Sequence, residues 1–231
     1  MKNQLKTSHD NSVEMWDKYY ASKRGSPMFE KIVHYGRKIY FGDVFAQNVL
    51  KLGGQANSYL ETGAGTGTTL KQIQQQTLAR CVGIEKTPLA HSLGVQNAKN
   101  CEIILGDALA LPLPDQSFDV AYSLGLFEHF SLEEQQQFLK EQARVSTKKI
   151  LIEVPTKTPH MMIIMWFNRK IRGLKGVWAD DELFTKQKFA QKFPGLEFNY
   201  HFDWASLAMT CWFVLDPQIV RDYFPKQTPL N

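Results

Sequence analysis

Five compact apolar runs punctuate the chain: Tyr59-Leu60, Arg80 to Ile84, Cys101 to Leu105, Phe118 to Ser123 and Ile150 to Val154. Between them lie longer stretches in which apolar positions return every three or four residues. Thr68 to Gln76 is one; a second opens at Thr87-Pro88, an N-cap followed by a first-turn proline. A third begins with the capping box Ser131-Leu132-Glu133-Glu134 and runs to about Ser146. Short apolar strands that alternate with amphipathic helices predict an α/β fold with a mostly parallel sheet. Two helices are expected before the first strand, Val13 to Ala21 and Phe29 to Leu52, the second stopped by Gly53-Gly54. After the fifth strand, Thr185 opens a helix with Phe189 and Phe193 a turn apart, and two more strands are expected at Leu196 to Tyr200 and Cys211 to Leu215.

The first strand ends in the phrase Glu61-Thr62-Gly63-Ala64-Gly65-Thr66-Gly67. A strand that breaks into glycines before a helix leaves bare backbone amides at the carboxyl edge of the sheet, where open α/β folds bind ligands. A dinucleotide fingerprint would need its third glycine at the position held by Thr68. The spacing found instead, an acidic residue followed by alternating glycines, resembles the first motif of the class I S-adenosylmethionine-dependent methyltransferases. Thr62 departs from the apolar residue commoner there.

Other segments carry the resemblance onward in order. Glu85 closes the second run, Gly106-Asp107-Ala108 follows the third, and Leu111-Pro112-Leu113-Pro114-Asp115-Gln116-Ser117-Phe118-Asp119-Val120 leads into the fourth much as in many small-molecule members. Leu124-Gly125-Leu126-Phe127-Glu128-His129-Phe130 is similar to the family loop in which a Glu-His pair follows that strand. The resemblance covers about Asn57 to Val154 and implies a Rossmann-like three-layer α/β/α sandwich. Its seven strands would stand in the order 3-2-1-4-5-7-6, with the last antiparallel.

It also implies a pocket for S-adenosyl-L-methionine and its product S-adenosyl-L-homocysteine. Glu61 would serve the donor's amino end; Gly63, Ala64, Gly65 and Gly67 would carry its methionine portion. Glu85, with Lys86 beside it, would take the ribose, Asp107 and Ala108 the adenine, and the backbone of Ser123 and Leu124 the amino group. Methyl transfer needs chiefly alignment of the acceptor, with a base only where the acceptor must lose a proton. His129 is the candidate base, its alternative being a structural histidine bound to backbone. Tyr19, Phe127, Met161 and Trp166 are candidates to line the acceptor.

The chain, 231 residues long, reads as one domain: a helical cap over 1–55, a donor-binding core over 56–155, a lid or substrate insertion over 156–182, and the remaining sheet and tail over 183–231. The insertion carries Met161-Met162-Ile163-Ile164-Met165-Trp166-Phe167 and then a basic stretch. It suits a pliable apolar pocket wall, a packing face or contact with a membrane surface. Cys81, Cys101 and Cys211 form no close pair in sequence, which predicts a reduced, cytoplasmic protein without a metal site. A net charge of +4 with Lys and Arg scattered among acids gives no reason to expect nucleic acid, and no apolar run approaches the roughly 18 residues of a membrane span. A small-molecule acceptor of apolar, aromatic or lipidic character is expected. A nicotinamide-dependent oxidoreductase and a non-catalytic donor-binding scaffold are the competing readings.

Overall fold

Tyr59 and Leu60 stand next to each other on β1 (Ser58–Thr62) and point to opposite faces, yet both are almost wholly buried. A strand covered on both sides belongs to the middle of a layered α/β structure. The computed structural model describes Asp17 and residues 42–170 and 182–224. Within them β1 is followed by β2 (Arg80–Glu85), β3 (Glu102–Leu105), β4 (Phe118–Leu124), β5 (Ser146–Pro155), β6 (Asn199–Asp203) and β7 (Thr210–Leu215). The seven form one sheet in the order β3-β2-β1-β4-β5-β7-β6. Pairing is parallel from β3 through β5, whereas β7 runs antiparallel to both its neighbours.

The helices are α1 (residues 42–53), α2 (Thr68–Gln76), α3 (Pro88–Asn97), α4 (Leu132–Val145), α5 (Pro159–Lys170), α6 (Lys186–Lys192) and α7 (Pro217–Tyr223). The capping box on α4 is complete: Ser131 Oγ accepts from the Glu134 amide at 3.3 Å, and Glu134 Oε2 accepts from the Ser131 amide at 2.8 Å. Two orphan amides of the first turn are thereby satisfied.

Strand alternation sorts the core into two layers. On one face Tyr59, Cys81, Tyr122, Leu151, Trp212 and Val214 pack under α1 and α2 through Val49, Leu70 and Ile73. On the other, Phe127, Phe138, Phe184, Phe189, Phe193 and Phe213 gather around α4 and α6. Phe189 stacks on Phe213 with ring centroids 4.1 Å apart. Each ring buried in this way contributes roughly 1.5–3 kcal/mol.

Several expectations shift. The sixth strand starts at Asn199 rather than Leu196, because Leu196 is buried in the segment before it and packs with the phenylalanine cluster. β5 begins at Ser146, directly from α4, and α7 follows Asp216, which caps it by accepting from the Gln218 amide at 2.7 Å. Cys81 and Cys101, distant in sequence, come to lie on neighbouring strands of one face. The first expected helix lies outside the described residues apart from Asp17. Its carboxylate accepts from the Leu89 amide at 3.3 Å, which sets Asp17 at the start of α3.

Candidate active site at the carboxyl edge of the sheet

The ends of β1, β2, β3 and β4 converge at one edge. The turn after β1 has positive φ at Gly63, Gly65 and Gly67 (76°, 54° and 65°), a region in which a Cβ is strained. At Gly63 an added Cβ would also come within 3.0 Å of Leu126 Cδ2. The turn is pinned to the sheet, since the Gly63 and Ala64 amides both donate to the Ile84 carbonyl, at 2.8 and 3.0 Å. Gly67 then hands the chain to α2, whose first amides face the edge without a side-chain cap.

Glu85 ties this turn to the next. Its Oε2 accepts from the Gly65 amide at 2.7 Å and its Oε1 from the Thr87 amide at 2.8 Å. Each carboxylate oxygen keeps a further lone pair for a hydroxyl donor. Beyond it, Asp107 holds Lys86 at 2.9 Å through Oδ2 and the Leu109 amide at 2.9 Å through Oδ1. Ala108 is buried beside it. On β4 the Ser123 hydroxyl is fully buried and has no hydrogen-bond partner among the described residues. A polar atom left unsatisfied at a strand end is suited to a ligand group, as are the bare glycine turn and the uncapped helix start.

Glu61 occupies a different place from its neighbours. It points beneath α2, 3% exposed, where Tyr122 Oη donates to its Oε2 at 3.1 Å and the Leu70 amide also donates to it. Burial pushes its carboxyl up to about 8, against the pull of these two donors. Tyr122 was not foreseen from sequence. The signal was available only in part: Glu61 pairs with Tyr122 across β1 and β4, a register that becomes visible once the two strands are aligned.

The remaining candidates separate. His129 ends a 3-10 turn (Phe127–His129) and is exposed at the rim of the edge. Leu124 is half-buried at the end of β4. Phe127 is not a pocket residue: it is fully buried among Phe138, Phe184, Phe189 and Phe193, with no surface to offer an acceptor. Met161 is buried on α5, whereas Trp166 on the same helix is 58% exposed. Tyr19 lies outside the described residues.

A doubly wound sheet in the order 3-2-1-4-5-7-6, its β7 reversed and its glycine turn at the end of β1, defines the Rossmann-like class I methyltransferase architecture. Residues 60–149 match a family model described as a methyltransferase domain. Ajmaline N-methyltransferase of Rauvolfia serpentina is 30% identical over 95 residues, 38% of this chain and 31% of that protein. "Probable tRNA methyltransferase 9B" of Mus musculus is 36% identical over 95 residues, 37% of this chain and 18% of that protein. The matched part thus spans less than a third of either relative. In fold, a SAM-dependent methyltransferase of Thermotoga maritima superposes with a TM-score of 0.62 at 14% identity, covering 87% of this chain and 97% of that one. Residues 60–149 are thus similar in sequence to a methyltransferase domain, and the described residues share the fold of that S-adenosylmethionine-dependent methyltransferase.

Proposed function

We propose that the chain transfers the methyl group of S-adenosyl-L-methionine to a small apolar or aromatic acceptor. The convergence of the glycine turn, Glu85, Asp107 and the unsatisfied Ser123 hydroxyl at one sheet edge carries this reading. Gly63, Ala64, Gly65 and Gly67 would receive the methionine portion, Glu85 the ribose hydroxyls with Lys86 alongside, and Asp107 and Ala108 the adenine. The strand end at Ser123 and Leu124 would hold the amino group. Bound there, the donor supplies an electrophilic methyl carbon on a sulfonium centre.

The protein's own part is alignment and exclusion of water. Glu61 sets the turn from below. His129, exposed at the rim, takes the proton from acceptors that lose one during attack. Met162, Ile163 and Trp166 on α5, the first part of the insertion after β5, offer an apolar wall for the acceptor. No helix among the described residues is long and apolar enough to cross a membrane.

Calorimetric titration with S-adenosyl-L-homocysteine and with NADH tests the donor, and binding of NADH alone would end this reading. Incubation with methyl-labelled donor and fractionated small-molecule extract tests turnover. Label entering only macromolecules would remove the small-molecule acceptor, and nucleoside binding without any label transfer would favour the scaffold.

A further inference from the structure

Cys81 is the second residue of β2, and Cys101 immediately precedes β3. The parallel register pairs Val82 with Glu102, so the two cysteines stand opposite each other one step earlier. Both belong to the cluster under α1 and α2, so their side chains share a face. Neighbouring strands lie about 4.8 Å apart, within the roughly 4.4–6.8 Å between Cα atoms that a disulfide spans.

Their surroundings divide the roles. Cys81 is 4% exposed, and its thiol also reaches the Ala79 carbonyl at 3.6 Å. Cys101 is half-exposed and lines a cleft of about 350 Å³ together with Lys71, Gln96, Asn97 and Lys99. Interaction between the two thiols draws the Cys101 thiol below its ordinary range and holds the Cys81 thiol above its own. The more acidic thiol is thus the one that solvent reaches, beside two lysines that attract anions.

We propose that Cys81 and Cys101 form a reversible thiol–disulfide pair that is oxidised by an anionic low-molecular-weight disulfide of the glutathione class. The Cys101 thiolate attacks one sulfur of that disulfide, making a mixed disulfide and releasing one thiolate, which takes up a proton. Cys81, on losing its proton, attacks the Cys101 sulfur and expels the second small thiol. Two protein thiols and one small disulfide become one protein disulfide and two small thiols. The bond removes the proton with which Cys101 Sγ binds the Leu70 carbonyl at 3.7 Å, untying the first turn of α2 from β3.

The native full chain is incubated with glutathione disulfide, its remaining thiols are alkylated, and the unreduced digest is mapped by mass spectrometry. A peptide joining Cys81 to Cys101 is expected, reversed by dithiothreitol, with Cys211 alkylated only after denaturation. Amide exchange in α2 should quicken several-fold in the oxidised chain. Cys211→Ser should leave the joined peptide intact, whereas Cys81→Ala should arrest the reaction at glutathione on Cys101. Lys71→Gln combined with Lys99→Gln should slow it several-fold at low salt. Free thiols throughout, or a stable Cys101 adduct in the unaltered chain, would overturn the proposal.

Discussion

Tyr122 Oη donates a hydrogen bond to Glu61 Oε2 at 3.1 Å, and the pair lies wholly beneath α2. The acidic residue that opens the glycine motif therefore acts from under the loop. With its carboxyl pushed up to about 8 by burial, Glu61 holds its proton near neutrality until a cation approaches. Binding of S-adenosyl-L-homocysteine, whose amino group is charged, should release a proton near pH 7. Calorimetry in two buffers of different ionisation heat reads this directly. Tyr122→Phe removes a donor to the charged form, worth about 1.5–3 kcal/mol, so affinity should fall by about tenfold or more and the released proton fraction should rise. Unchanged affinity would confine Tyr122 to the core.

Stability of the unliganded chain should decline as the pH rises from about 5 to about 8. Glu61 and Glu153 are both pushed up to about 8, in each case chiefly by burial. Their folded-state pKa lies above the unfolded value, so the stability they contribute is full below about pH 4.5 and is lost as the pH climbs through about 8. Asp119 and Glu182 are held low by partners that include Lys148 and Lys192, and they act in the opposite sense only at more acidic pH. Thermal unfolding from about pH 5 to about pH 8 should show a falling midpoint, and Glu153→Gln should flatten it. A wild-type midpoint that rises across this range would contradict neutral burial of the two acids.

Gly83 on β2 tests how tightly the turn is seated. A Cβ there would meet Ala64 Cβ at 2.7 Å and Ile103 Cδ1 at 2.9 Å. Gly83→Ala must push the glycine turn or β3 away. A destabilisation of about 1–3 kcal/mol is expected, with weaker S-adenosyl-L-homocysteine binding. Denaturant unfolding and calorimetry on one preparation separate the two effects. Wild-type affinity would show that the turn yields freely.

Phe127 and His129 are two residues apart and should fail in different ways. Phe127→Ala empties a site among four other rings and should cost about 3–5 kcal/mol of stability. His129→Ala, at an exposed position, should leave the unfolding midpoint near wild type and spare donor affinity while lowering turnover with proton-losing acceptors. If turnover is unchanged, His129 is not the base.

Much of the sheet could be read from the chain because strands covered on both faces leave continuous apolar runs, as Cys81 to Ile84 and Val120 to Tyr122 do. The edge strand β6 was legible only with shifted bounds. Asn199 to Asp203 alternates polar and apolar residues, and the more apolar Leu196 drew the expected boundary toward itself. The ligand-facing turn was legible because it requires glycines at fixed steps. Glu61–Tyr122, Cys81–Cys101 and the enclosure of Phe127 depend on register and on residues far along the chain, which local spacing does not encode. Phe127 shows the hazard: an aromatic just past a strand end looks the same whether it faces a cleft or a core.

The reversal of β7 also bears on how the chain is made. β5, the longest strand, is paired on one side by β4 but on the other only by β7, with Ile150 opposite Leu215. As the polypeptide emerges from the ribosome, the core through β5 can assemble while that long apolar edge stays open until residue 215 is available. An open edge of this kind is a template for pairing with other chains. Slow synthesis or a break between residues 156 and 209 therefore exposes the nascent protein to aggregation at β5, the period when chaperone protection matters most.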